Sequence, residues 1–496
     1  MAYNQAMLIR RDLLARMCTL IKEGKLKEKI DRVPLIMRPR HGQELSRCCI
    51  HKDRAVIKYR LMAILGFDVR DEQDELTPLS EYAHMAENRK EFTDVMLTVV
   101  DEACSSCVKS NYIVTNMCHS CIGHPCTFAC HKQAISIQRQ AYIDPSKCVN
   151  CGLCMQACPF NAIIYQAVPC EESCPVGAIS KDEHGVEHID ESKCIYCGRC
   201  REACPYGAIM EKTSLVQIYA ALKSNKKTVA MFAPALAGQF PAPLEKIIHA
   251  IGELGFDQVV EVAKGANETS AREAVEFEER MEKGEPFMTT SCCHSYTELV
   301  KKHLTELSPY VSETRTPVAY TAEMVKKADP EVITVFIAPC VAKRHEGYYD
   351  KNIDYVMSFE ELGAMMIASG VDVLKSEDQV FDSSIDNSGR AFPFTGGVMD
   401  SVKKYAKDPE KIRPYIVDGI DKAVIKSLKN IKKTCGGPDQ PNFIEFMMCK
   451  GGCVNGCNAL ANPRTATRQI QNFIQKEETK KNTTAASLEN SSDKVS

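Results

Sequence analysis

Two runs, CVNCGLCMQACP (148–159) and CIYCGRCREACP (194–205), share the spacing C-x2-C-x2-C-x3-C-P. Three close thiolates at that spacing wrap a 4Fe-4S cluster, and the fourth reaches a second cluster. The spacing predicts one cluster on Cys148, Cys151, Cys154 and Cys204, and another on Cys194, Cys197, Cys200 and Cys158. Structural zinc prefers isolated four-cysteine sites, and two runs each closed by proline favour iron and sulfide over it.

Eight further cysteines lie in the same stretch: Cys104, Cys107, Cys118, Cys121, Cys126, Cys130, Cys170 and Cys174. The tails ACHKQAI, ACPFNAI, SCPVGAI and ACPYGAI recur as if two ferredoxin-like modules were interleaved. Eight ligands suit two more clusters, giving two to four accessory 4Fe-4S clusters in all. The expected grouping is Cys118, Cys121 and Cys126 with Cys174, and Cys104, Cys107 and Cys170 with Cys130. His119, His124 and His131 read as surface histidines. A row of clusters moves single electrons between a surface partner and something buried.

Three loops far along the chain could hold that something: TTSCCHSY (289–296), APCVAKRHE (338–346) and EFMMCKGGCVNGC (445–457). Their six thiols, Cys292, Cys293, Cys340, Cys449, Cys453 and Cys457, could close one four-ligand site with two left over. Spacing alone does not say which two.

The elements that must position these residues read as a multidomain α/β (α+β) chain. Residues 1–95 carry apolar residues three and four apart and read as an N-terminal helical region, with Cys18, Cys48 and Cys49 as ordinary thiols. Residues 96–215 form a ferredoxin-like iron-sulfur domain of short strands and turns. Residues 216–475 alternate apolar strands with amphipathic helices, an α/β catalytic domain. Residues 476–496 are polar and low in complexity, and are expected to be disordered.

Composition narrows the setting. The 496-residue chain carries 26 cysteines and a net charge of −3. It shows no apolar leader and no apolar run of the ~18 residues a membrane helix needs. A cytoplasmic protein with free thiols is expected, with neither a membrane nor a nucleic acid as partner. Residues 1–60 hold 15 Lys and Arg against 6 Asp and Glu, suiting either a solvated helical face or an acidic partner.

The motifs TSCC, PCxxKxxE and ExMxCxGGCxxG, in this order after a ferredoxin-like segment, resemble the three signature loops of the [FeFe]-hydrogenases. TGGVMD (395–400) and APA (233–235) resemble two further elements of that family, and the likeness spans roughly residues 100–470. It implies reversible exchange of two protons and two electrons with H2 at an H-cluster. That cofactor is a 4Fe-4S unit joined to a two-iron unit carrying CO, cyanide and a bridging dithiolate amine. By the same resemblance, Cys293, Cys340, Cys449 and Cys453 hold the H-cluster, with Cys453 bridging its halves. Lys343 would donate to a cyanide with Glu346 as its counter-charge, and Ala233, Pro234 and Met447 would wall the pocket. Protons would pass through Cys292, Glu273, Ser312 and Glu276. Ferredoxin or flavodoxin would be the electron partner, and maturation proteins would insert the two-iron unit.

The alternative is an H2 sensor, or an iron-sulfur assembly homologue without the dinuclear site; the presence together of Cys292, Lys343, Glu346 and Met447 favours the enzyme. Departures from the family pattern are His294 and Tyr296, where Pro and Trp are usual, and Ala338 in place of a Met beside the dinuclear iron. His294 could titrate near working pH and alter proton handling, or could equally be a packing substitute. Cys457 stands where Gly is common, as a spare thiol or a protective ligand at an open iron site.

Overall fold

Asn4 accepts a hydrogen bond from the Met7 amide (2.8 Å) and starts the Gln5–Lys22 helix, whose Leu13, Leu14 and Met17 turn inward. This computed structural model describes residues 4–41, 48–89, 93–104, 107, 111–379 and 385–492. The N-terminal region is helical as expected, with a second long helix at Ile50–Ile64. Several of its basic residues point into the protein rather than into solvent. Arg10 and Arg11 pair with Glu360 at 2.9 and 3.0 Å, and Arg60 donates to the Tyr206 carbonyl at 2.7 Å.

The cysteine-rich stretch folds as two copies of one pattern, in which first and last strands pair around an inner hairpin. In the distal module β2 (Tyr112–Val114) pairs with β5 (Ile163–Tyr165), enclosing the hairpin β3 (Ile135–Ile137) and β4 (Ala141–Ile143). In the proximal module β1 (Leu97–Val99) pairs with β8 (Ile209–Glu211), enclosing β6 (Ile179–Lys181) and β7 (Glu187–Ile189). All four pairs are antiparallel. The distal module is thus inserted whole into the proximal one.

The C-terminal region carries two parallel sheets. One has the order β10 (Gln258–Glu261), β9 (Thr228–Phe232), β12 (Ile333–Ala338), β13 (Tyr355–Ser358). Its central strands read TVAMF and ITVFIA, nearly continuous apolar runs, because both faces are covered. The other has the order β11 (Met288–Thr289), β15 (Phe443–Met447), β14 (Pro414–Asp418).

One hydrophobic core runs through the N-terminal helices, the proximal module and the four-stranded sheet, whereas the distal module has a small core of its own around Cys126, Ile143, Cys154 and Ile163. Arg201, between Cys200 and Cys204, locks the shared core. It donates to the Cys457 carbonyl at 2.8 Å and to the Asn458 side chain, and it pairs with Glu211 and Glu360. Burial pushes Glu360 up, but Arg10 and Arg201 outweigh it and hold the carboxyl at about 2.

The segment expected to be disordered is helical: a helix runs Pro463–Ser492, in keeping with its Ala, Glu and Lys content. Residues 493–496 of that segment lie outside the described residues.

Candidate functional site

The C-terminal site loops leave the carboxyl ends of parallel strands, where open α/β sheets bind their ligands. Ala233 and Pro234 follow β9, Cys292 and Cys293 follow β11, Cys340 follows β12 and Cys449 follows β15. Cys293 and Cys340 are N-caps of the His294–His303 and Val341–Tyr349 helices. Cys453 opens a short helical turn after Gly451 and Gly452. Gly452 has φ +92°, and a Cβ there would overlap the Pro393 carbonyl, so only glycine lets the chain pass so close.

These thiols form one group. Burial, then the charges of Cys340, Cys453, Cys293 and Cys457, push Cys449 up, and burial, then Cys453 and Cys293, do the same to Cys340. All 26 cysteines are free of disulfides. Buried, mutually repelling thiols stay protonated until a soft metal takes the charge, so this donor set fits an iron-sulfur group.

Beside them a cavity of about 70 Å³ is lined by Ala233, Pro234, Cys292, Lys343, Met447 and Cys453. Ala338 does not line it; Phe336 and Pro339 do. Among the described residues the one cation lining the cavity is Lys343, which donates to the Cys292 carbonyl at 2.9 Å and to Glu346 at 2.6 Å. Burial works against its charge, but Glu346 outweighs burial and holds the ammonium above the ordinary lysine value. Thr316 donates to the other Glu346 oxygen.

Behind Cys292 stand two carboxylates on the Ala263–Glu282 helix. Glu273 is wholly buried and accepts from the Ser291 amide at 3.4 Å. Burial, with the charge of Glu276 adding to it, lifts its pKa to about 8, while the Ser312 hydroxyl pulls the other way. Ser312 donates to Glu276 at 2.7 Å, as does Thr314 Oγ1, and Arg280 pairs with Glu276 at 2.8 Å. Burial alone would raise Glu276, yet these donors hold it below the usual carboxylate range. Cys292, Glu273, Ser312 and Glu276 therefore form a graded series from cavity to surface.

The accessory thiols group differently from the expectation. Burial, then Glu187, Cys204, Cys104 and Cys107, push Cys170 up, which joins Cys204 to Cys104, Cys107 and Cys170. Cys194, Cys197 and Cys200 all feel Cys174. In the distal module Cys126 feels Cys158 and Cys118, with Cys121 three residues from Cys118, and Cys154 feels Cys148, Cys130 and Cys151. The fourth thiol thus comes from the partner run of the same module, because each module folds on itself. The expected partners Cys204, Cys158, Cys174 and Cys130 all change places accordingly.

Three residues that depart from the family pattern are packed against neighbours. Burial drives the His294 pKa below its ordinary value; its Nε2 lies 2.8 Å from His345 Nδ1, and His345 stacks on Tyr196 at 3.7 Å. Tyr296 is a core residue, stacked on Phe446 and donating to Thr289 at 2.9 Å. Cys457 does not face the cavity: a Cβ on Gly198, in the proximal cysteine run, would overlap its Sγ.

Sequence reasoning missed Glu445, wholly buried in β15, which accepts from the Gly396 and Met399 amides at 2.7 and 2.8 Å and straps down TGGVMD. It also missed Phe392 and Pro393, cavity walls separated from TGGVMD only by Phe394.

Residues 226–457 match the family model described as iron only hydrogenase large subunit, C-terminal domain, and residues 141–164 and 187–210 match that of a 4Fe-4S binding domain. The chain is 32% identical over 370 residues to the periplasmic [Fe] hydrogenase large subunit of Nitratidesulfovibrio vulgaris, covering 63% of this chain and 85% of that protein. It is 30% identical over 368 residues to iron hydrogenase 1 of Clostridium pasteurianum, covering 63% of this chain and 64% of that one. A cytosolic Fe-S cluster assembly factor of Kluyveromyces lactis is 22% identical over 266 residues, covering 39% of this chain and 56% of that protein. With its thiols, its cavity and its cluster modules set against these relatives, the chain belongs to the family of iron-only hydrogenases.

Proposed function

We propose that this chain is an active [FeFe]-hydrogenase that exchanges two protons and two electrons reversibly with H2. Four thiols, Cys293, Cys340, Cys449 and Cys453, hold an H-cluster, and the four accessory thiol sets hold 4Fe-4S clusters that pass electrons to or from ferredoxin or flavodoxin. When bound, the H-cluster supplies the redox chemistry and the site of bond formation. The protein does the rest. Lys343, kept charged by Glu346, donates a hydrogen bond into the cavity and orients what binds there. Ala233, Pro234 and Met447 keep water out. Cys292 carries a proton between the cavity and Glu273, and Ser312 relays it to Glu276 at the surface. Maturation proteins load the two-iron unit.

The observation that carries this reading is the buried Glu273 beside Cys292, with Ser312 donating to the neighbouring Glu276 at 2.7 Å. A protein that merely scaffolds cubanes has no use for a proton route that ends at an apolar cavity.

The test is an infrared spectrum of anaerobically matured protein, read for iron-bound CO and cyanide stretches, with H2 production from a reduced viologen dye in the same sample. Bands with turnover support an enzyme; bands without turnover favour an H2 sensor. No bands after confirmed maturation leave the assembly-factor reading in possession.

A further inference from the structure

The two helices whose N-caps are Cys293 and Cys340 carry a second donor set, which does not line the cavity. His294 and Glu298 stand four apart on the His294–His303 helix and so share a face, and His345 comes from the Val341–Tyr349 helix. His294 Nε2 lies 2.8 Å from His345 Nδ1, and a Glu298 oxygen completes a triangle whose members all lie within 4.8 Å of one another. Among the described residues no other three His, Cys, Asp or Glu side chains close to that distance. The set is compact enough for a single ion rather than a cubane.

Its surroundings hold it in place. His345 and Glu298 are only 4% and 5% exposed, and the Tyr196 ring stacks on His345 at 3.7 Å and fixes its plane. Lys302 pairs with Glu298 Oε2 at 2.9 Å and donates to the Cys194 carbonyl at 2.7 Å, which orients the carboxylate and leaves Oε1 to a ligand. Lys301 approaches Oε1 only at 3.5 Å, on an exposed side chain free to turn into water. In their present contact the two imidazoles share one hydrogen. Moving it to the far nitrogen of the ring that carries it leaves each ring one N–H and aims both lone pairs at one point. Imidazole nitrogens on one tetrahedral zinc stand roughly 3.3 Å apart, so a small ring rotation from 2.8 Å admits the ion.

We propose that His294, His345 and Glu298 bind a zinc ion, with water in the fourth position, and that this ion staples together the two helices that present Cys293 and Cys340. Two imidazoles and a carboxylate form a donor set of borderline softness, on which zinc binds more tightly than ferrous iron or manganese. Because Tyr196 belongs to the CIYCGRC run, the same ion steadies the proximal module against the site. The zinc site goes beyond the hydrogenase reading and stands without it.

The experiment adds zinc sulfate to the full, cluster-loaded chain under anaerobic conditions and removes unbound metal by gel filtration. Zinc and iron are then counted by elemental analysis, and the zinc environment is read by X-ray absorption at the zinc edge. About one zinc per chain should remain, with nitrogen and oxygen neighbours at about 2.0–2.2 Å, the outer-shell signature of imidazole and unchanged iron content. His345→Gln and Glu298→Gln, on different helices so that one serves if the other does not fold, should each weaken zinc binding by at least about tenfold at parental iron content and circular dichroism. Zinc should raise the melting temperature of the parent and leave those of the variants unmoved. Any of three results overturns the proposal: no zinc retained, a sulfur shell at about 2.3 Å that places the zinc in emptied cysteine sites, or zinc retained undiminished in both variants. None of them touches the hydrogenase reading, which infrared bands and H2 turnover decide separately.

Discussion

Glu273 offers the most quantitative test of the proton route. Its carboxyl is wholly buried and its pKa lies near 8, against an ordinary 4.5. That gap corresponds to roughly 5 kcal/mol, at about 1.36 kcal/mol per pH unit. Because the folded value is raised, the folded chain binds a proton that the unfolded chain releases across this window. The stability contributed by this group is fully present below pH 4.5 and is lost as pH rises through about 8. Near pH 7 about nine molecules in ten carry the neutral acid.

Glu273→Gln copies that neutral form in shape and polarity but holds no exchangeable acid proton. The variant should match the parent in stability below about pH 4.5, exceed it by about 3 kcal/mol near pH 7 and by about 5 kcal/mol near pH 9. Its H2 production should fall by about 10²–10⁴-fold. Infrared titration reads the group directly, since its carboxylic-acid band is the one missing from the variant. The reasoning is refuted if that band disappears below about pH 6, or if the variant turns over within about threefold of the parent.

Glu276→Gln and Cys292→Ala should each abolish most turnover, by about 10²-fold or more, with iron content and infrared bands unchanged; parental rates in both would close the route. Lys343→Met strands Glu346 as a buried charge and should cost about 3–5 kcal/mol, partly regained by adding Glu346→Gln. Thermal melts of the cluster-loaded protein check it, and an unchanged melt for Lys343→Met alone would contradict the pairing. Gly198 combines φ +75° with a Cβ position that overlaps Cys457 Sγ. Gly198→Ala should destabilise by about 1–3 kcal/mol, and Cys457→Ala should relieve only part of the overlap, because Cys457 Cβ stays 2.9 Å from the added carbon, and none of the backbone strain; an unaltered melt in the single variant would speak against the close approach.

The ligating cysteines are legible in the sequence because three thiolates on one cluster must be local, and C-x2-C-x2-C writes that requirement into adjacent positions. The fourth ligand is not local. Whether Cys204 serves the distal or the proximal triad depends on which strands pair, and β1 with β8 closes the proximal module on itself. The strand ends carrying Cys293 and Cys340 are visible in their apolar runs. The role of His294 is not visible, because its pKa depends on burial beside His345, which reaches it from the other side of the site. Glu445 reads as one charge in an apolar strand; its use appears only when the TGGVMD helix places two amides on it. The basic N-terminal residues mislead for a similar reason, since Glu360, the partner of Arg10 and Arg11, is some 350 residues away.

The two cluster modules differ in how they could be lost or gained. The distal one enters and leaves through neighbouring strands, with the Gln166 amide donating to the Asn111 carbonyl at 2.6 Å, and it closes its own core. Deleting it asks the rest of the chain to join two ends that already touch, and it shortens the electron path by two thiol sets without opening the main core. The proximal module has no such seam, because Arg201 ties it to the loop after Cys453 and to the helix bearing Glu360. Length variation among relatives should therefore accumulate at the distal module, and an engineer seeking a shorter enzyme should cut there first.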